Sequence, residues 1–294
     1  MTLAIKKLRI SSFVIWSTLA FFVILYGVPL LWLFLAGTRN ESSLISDAPL
    51  TFGSFATAKE TFLNLTGYND GQVWTWAWNS VIYTAGSVSL TLASCIPAGY
   101  ALAMSEFRGR RTILIITLIA MITPSQAIIL PIFLEMSLLG LTNTYTGLIL
   151  ASSFFPFGVY LSYIFYATSL PKSVVESARI DGCGHFNCFI HMGLPLAKPL
   201  LALVAFFSFV NNWNNYFLAF ILITDDDKQN LPVGLTTLIS SSGALNPQEA
   251  ANDLPVGQPE AIQAAILVVL PIVLVFLLSQ KYVRAGLNAG AEKG

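Results

Sequence analysis

Charge is what this sequence has least of. Asp, Glu, Lys and Arg make up 10% of its 294 residues, where an ordinary soluble domain carries about a quarter. The 15 basic and 15 acidic residues cancel, so net charge names no partner, and nothing reads as a nucleic-acid surface. Cysteine is scarce as well. Cys95 stands in an apolar run, and Cys183 and Cys188 in a polar stretch; the odd count and this placement give no disulfide framework. No Ser-His-Asp set, no H-E-x-x-H and no paired carboxylates occur, and both histidines, His185 and His191, sit in the same polar stretch. Nothing suggests catalysis. The G-x-x-x-x-G-K-[ST] phosphate loop is missing too, so ATP, if used, acts through a partner.

What the chain does have is apolar length. Hydrophobic residues make up 55% of it and mean hydropathy is +0.70. The apolar runs are about 20 residues or longer, which suits membrane-crossing helices and is too long for barrel strands. The sequence therefore predicts an all-α membrane protein, one transmembrane domain over residues 1–294. Its six spans fall at about 12–36, 79–104, 112–134, 143–168, 200–223 and 260–281. The run from Ser12 to Gly37 exceeds a signal-peptide core, so it reads as a retained first helix. Pro124 and Pro131 predict a kink in the third span, and Pro156 lies inside the fourth. Trp74, Trp76 and Trp78 close the 39–78 loop and suit a membrane interface. A second polar loop covers 224–259.

Basic residues choose the orientation. Lys6, Lys7, Arg9, Arg108, Arg110, Arg111, Lys172, Arg179, Lys198, Lys281, Arg284 and Lys293 fall at the termini and the even-numbered turns; only Arg39, Lys59 and Lys228 fall in the other loops. The positive-inside rule then puts both termini in the cytoplasm.

The longest polar stretch on that side is Ser169–Pro199. Pro171 suits a first helical turn. Val174, Val175 and Ala178 share a face, Asp181-Gly182 stops the helix, and Phe186, Phe189 and Ile190 give a second segment an apolar face. Cys183, His185, Cys188 and His191 are soft or borderline ligands, but C-x-H-x2-C-x2-H is not a usual closed zinc pattern, and they read as ordinary loop residues.

Glu176-Ser177-Ala178, then Gly182 after three residues, then Leu194-Pro195 after a fixed gap resembles the EAA loop of ABC importer permeases. Ser177 stands at the middle of the triplet, Met192 at the position of an Ile, and Cys183 where Ala is common. Trp78-Asn79-Ser80, the AGYALAMSEFRGRR turn (98–111), Leu170-Pro171, Trp213-Asn214 and the terminal AGLNAGAEKG are similar to the carbohydrate, maltose-type branch of that family. The resemblance implies a type I importer permease fold in the bacterial cytoplasmic membrane. It further implies a second permease subunit as partner, two ATPase subunits that hold ATP and Mg2+, and an extracytoplasmic solute-binding protein facing the 39–78 and 224–259 loops. This chain itself would bind no cofactor. Glu176, Ser177, Ala178, Asp181, Gly182, Leu194 and Pro195 would couple ATPase closure to the switch of access.

The solute site is a separate question. Asn211-Asn212-Trp213-Asn214-Asn215-Tyr216 lies deep in the fifth span. Four Asn side chains there are costly unless they face protein or water. Asn211, Asn214 and Asn215 share a face, while Asn212 and Trp213 point elsewhere. A polar lining for a hydroxyl-rich solute, with Trp213 or Tyr216 stacking on a sugar face, competes with interhelical hydrogen bonding. Thr123, Gln126, Ser152 and Ser153 are weaker pathway candidates. The near-absence of Lys or Arg inside the spans weighs against a phosphorylated solute such as glycerol phosphate. The absence of intramembrane carboxylates weighs against an ion-driven secondary transporter.

Overall fold

A computed structural model describes residues 2–242 and 256–291. Every regular element among these is helical. In chain order they are α1 (Thr2–Ala36), α2 (Glu41–Ser46), α3 (Phe55–Gly67), a 3-10 turn (Tyr68–Gly71), α4 (Gln72–Met104), α5 (Arg110–Ile122), α6 (Ser125–Leu138), α7 (Tyr145–Ser152), α8 (Pro156–Ser169), α9 (Lys172–Ile180), α10 (His185–Cys188), a π-helical turn (Phe189–Gly193), α11 (Leu194–Leu196), α12 (Lys198–Trp213), α13 (Phe217–Leu222), a second 3-10 turn (Asp226–Lys228), α14 (Leu231–Ser240) and α15 (Gln258–Ala291). The chain divides into two compact units, residues 1–71 with 236–267 and residues 72–235 with 268–294.

In the first unit, α1 presents an apolar surface almost all round, as a helix bathed in lipid does. The turn after it is pinned by a buried Arg39, whose guanidinium donates to the carbonyls of Ser43 and Pro49 and lies 3.9 Å from Asp47. Gln263 Nε2 donates to the Gly37 carbonyl at 2.5 Å.

The second unit is built on α4, which packs against α7, α8 and α12, while α5 packs against α8. The buried stripe of α4 carries small polar residues at four-residue spacing. Ser87 Oγ, Thr91 Oγ1 and Cys95 Sγ donate to the carbonyls of Ile149, Ser153 and Phe155 at 3.2, 3.1 and 3.4 Å. Those carbonyls flank the break between α7 and α8, so α4 satisfies backbone groups that lipid could not. Below them, Cys95, Ile96, Tyr100, Phe165, Tyr166, Val175, Cys188, Phe189, Leu200 and Val204 form one apolar core.

Among the described residues three helices, at Ser12–Ala36, Phe55–Met104 and Gln258–Lys281, are long and apolar enough to span a membrane, and the number reaches six when each bent pair counts as one span. The bends exceed the sequence reading. The third span is not a kinked helix but α5 and α6 meeting at 110°. Thr123 and Pro124 both take extended ψ (125° and 129°), since the residue before a proline is pushed out of the helical region. The fourth span bends by 46° ahead of Pro156, which starts α8. The fifth span is not continuous: it breaks at Asn214–Tyr216 between α12 and α13. The second span starts at Gln72 rather than Asn79, and the 39–78 loop holds α2 and α3. Trp76 is consequently 4% exposed and buried in protein, with Trp74 and Trp78 left on the surface. Residues 243–255 of the 224–259 loop and 292–294 of the tail lie outside the described residues.

Candidate functional site

The 169–199 stretch folds as a compact knob. Leu170-Pro171 turns the chain out of α8, and Lys172 opens α9. α9 ends in a Schellman motif. The Cys183 amide donates to the Ala178 carbonyl at 2.9 Å and the Gly182 amide to the Arg179 carbonyl at 3.1 Å, with Gly182 at φ +90°. The inner face carries Val175, Ala178, Cys188 and Phe189 into the core. Tyr100 and Tyr166 meet edge-on at 5.2 Å, Tyr100 lies 5.1 Å from Phe189, and the Tyr166 hydroxyl donates to the Gly193 carbonyl at 3.3 Å. The knob is thereby anchored to α4 and α8.

Its outer face is left open. Glu176, Ser177, Asp181, Gly182 and Pro195 are exposed and Leu194 is half-buried. Ile180 is 87% exposed and Phe186 73%. Val174 and Phe186, assigned to apolar faces from spacing, lie on the surface rather than in the core. Beside them a cleft of about 260 Å3 is lined by Met104, Glu106, Lys172, Val175, Glu176, Arg179 and His185. Sequence spacing had no means to find the participation of Glu106, since it arrives from the turn after α4. Among the described residues no three His, Cys, Asp or Glu side chains converge as metal ligands. Cys188 is buried with its thiol against the Cys183 carbonyl at 3.6 Å, and His191 Nδ1 lies 3.0 Å from the Asn187 carbonyl.

A second site forms at the break between α12 and α13. A cavity of about 430 Å3 is lined by Asn211, Asn214, Asn215 and Tyr216 together with Ser125, Gln126, Ser152 and apolar neighbours from α6 and α7. Among the described residues that line it there is no Asp, Glu, Lys, Arg or His. Asn215 Nδ2 donates to Ser152 Oγ at 3.0 Å, and Asn214 Nδ2 folds back to the Val210 carbonyl at 2.9 Å. Trp213 turns away: it stacks on Phe209 with centroids 5.7 Å apart and donates to the Val268 carbonyl at 3.0 Å. Asn212 is buried and donates to the Ser208 carbonyl at 2.8 Å. Asn211, Asn214 and Asn215, which share a helical face, line the cavity together with Tyr216, and Trp213 lies outside that lining. Gln126 and Ser152 reach the cavity; Thr123 and Ser153 instead donate to the carbonyls of Ile119 and Leu150.

Residues 95–288 match a family model described as "Binding-protein-dependent transport system inner membrane component". The chain is 33% identical over 290 residues to the arabinooligosaccharides transport system permease protein AraQ of Halalkalibacterium halodurans, covering 98% of this chain and 99% of that protein. It is 31% identical over 286 residues to the diacetylchitobiose uptake system permease protein NgcG of Streptomyces coelicolor, covering 94% and 85%. A crystal structure of a bacterial ABC transporter involved in the import of the acidic polysaccharide alginate shares the fold, with a TM-score of 0.77 at 24% identity over 94% of this chain and 97% of that one.

Proposed function

The chain belongs to the binding-protein-dependent transport system inner membrane component family, the permeases of ABC importers, and on that premise we propose that it forms one half of the channel for a neutral sugar or short oligosaccharide. The observation that carries this is the cavity at the α12–α13 break. Its polar groups are amides and hydroxyls, which pair with sugar hydroxyls in either sense, and it brings no charge to a substrate. Its volume of about 430 Å3 falls in the usual range of small-molecule sites, about 300–1,000 Å3. Tyr216 offers a ring to a sugar face. The relatives named for arabinooligosaccharides and diacetylchitobiose make neutral saccharides the first solutes to try. Glycerol phosphate would require a cationic lining, and none of the described residues around this cavity is Lys or Arg.

The second half of the channel would be a similar permease subunit. Two ATPase subunits, holding ATP and Mg2+, would seat against the outer face of the 169–199 knob, with Glu176, Ser177, Ala178, Asp181, Gly182, Leu194 and Pro195 as the contact and its geometry. A solute-binding protein would dock on the opposite side of the membrane.

The test is uptake by the assembled complex with a panel of arabinooligosaccharides, diacetylchitobiose and glycerol 3-phosphate. Transport of a saccharide is expected, and its rate should fall about tenfold or more in Asn214→Leu, the equivalent of about 1.4 kcal/mol. Unchanged rate and selectivity in that variant would remove the cavity from the pathway.

A further inference from the structure

Within the second unit, the 224–231 segment is held to α4 by its backbone. Trp76, Asn79, Ser80 and Tyr83 lie along one face of α4. Trp76 Nε1 donates to the Asp226 carbonyl (2.8 Å), Asn79 Nδ2 to the carbonyls of Asp227 and Gln229 (2.7 and 2.9 Å), and the Tyr83 hydroxyl to the Lys228 carbonyl (2.8 Å); Ser80 Oγ accepts from the Leu231 amide at 2.8 Å. At the start of the segment, Asn143 Oδ1 accepts from the amides of Thr224 and Asp225 at 3.2 and 3.1 Å.

Asn230 works in two directions. Its Oδ1 accepts from the Val233 amide at 3.2 Å, capping the first turn of α14, while its Nδ2 donates to the Asn215 carbonyl at 2.6 Å. The cap needs only an oxygen, which Ser or Asp supplies equally well. The amide nitrogen is the surplus, and it satisfies a carbonyl freed by the break between α12 and α13. Asn215 in turn donates to Ser152 across the cavity.

We propose that Asn230 is a positioning residue for solute passage: it holds the Asn215 carbonyl, and so fixes the helix break and the cavity-facing amides of Asn214 and Asn215 to the braced 224–231 segment. The proposal rests on reading that cavity as the solute path. It differs from a capping role because it depends on the nitrogen.

The experiment compares the wild-type complex, Asn230→Asp, Asn230→Ser and Tyr83→Phe. Both Asn230 variants keep an acceptor for the Val233 amide, but the carboxylate cannot donate and the serine hydroxyl is too short to reach Asn215. Tyr83→Phe removes one brace of the segment and leaves the Asn230–Asn215 bond. Amide hydrogen exchange over residues 211–222 should quicken about fivefold or more in both Asn230 variants and stay at the wild-type rate in Tyr83→Phe. Arabinotriose delivered per ATP hydrolysed, at saturating binding protein, should fall several-fold in the Asn230 variants alone. Unchanged exchange at 211–222 in the Asn230 variants, or the same change in Tyr83→Phe, would overturn the proposal. Faster exchange with unchanged transport per ATP would leave Asn230 holding the break and overturn the solute-path reading beneath it.

Discussion

Gly182 shows what a single residue contributes to the 169–199 knob. Its φ of +90° ends α9 in a Schellman motif, and a Cβ there would meet nothing within 4 Å. Within this chain the requirement is conformational. Left-handed backbone costs an L-residue roughly 1–2 kcal/mol, least for Asn and most for β-branched side chains. Gly182→Asn should therefore retain most of the ATP hydrolysis that loaded binding protein stimulates in the assembled complex. Gly182→Val should lose about tenfold, because the turn that orients Asp181 and Ile180 opens. Normal stimulation in Gly182→Val would refute this account. The E-S-A-x3-G spacing was legible because a helix of fixed pitch and one obligatory glycine leave a mark in sequence. The cleft that joins Glu106 to Glu176 and Arg179 leaves none, since its two halves are far apart in the chain.

Elements break where local chemistry and tertiary support agree, and sequence displays only the first. Pro29, Pro97, Pro131 and Pro271 lie inside continuous helices, whereas Pro124 and Pro156 stand at bends. The break at Asn214–Tyr216 has neither proline nor glycine; the Asn214 side chain joins its own backbone amide on the Val210 carbonyl, and Asn230 takes the carbonyl of Asn215, so a side chain stands in for the helical ladder there. That substitution depends on a residue 15 positions away and was not readable from the 200–223 run. Helix contact can be probed the same way. A Cβ at Gly99 would overlap the Ser162 side chain and come within 2.7 Å of the Ser162 carbonyl carbon, so α4 and α8 touch through their backbones there. Gly99→Val should destabilise the permease by about 1–3 kcal/mol and lower its thermal midpoint in detergent. Gly27→Ala, in the open α1 helix with nothing within 4 Å, should raise stability by about 0.5–1 kcal/mol. Equal behaviour of the two variants would sink the close-packing account.

Among the described residues long apolar stretches of helix are exposed. The most hydropathic stretch of α1 is only 6% buried and that of α15 only 11%. Lipid and neighbouring subunits, rather than water, must complete this fold, which is why composition revealed its class so readily while its partners stay outside the chain. Orientation follows from the twelve basic residues on one side against three on the other, and it makes a prediction that local geometry does not. In a Cys183→Ala background, Asp226→Cys should react with a membrane-impermeant maleimide in intact spheroplasts. Ile180→Cys should react only after permeabilisation. Ile180 also lies on the open face of the knob, so its labelling should fall about tenfold when the ATPase subunits are co-expressed and recover when they are stripped away. Reaction of Ile180→Cys from outside would invert the topology and with it the assignment of the knob to the ATPase. Cytoplasmic reaction that the ATPase fails to suppress would keep the topology but move the coupling contact off Ile180. ATPase contact and membrane side are thus separable in one set of labelling measurements, because the open face of the knob and the basic residues that set orientation are different residues.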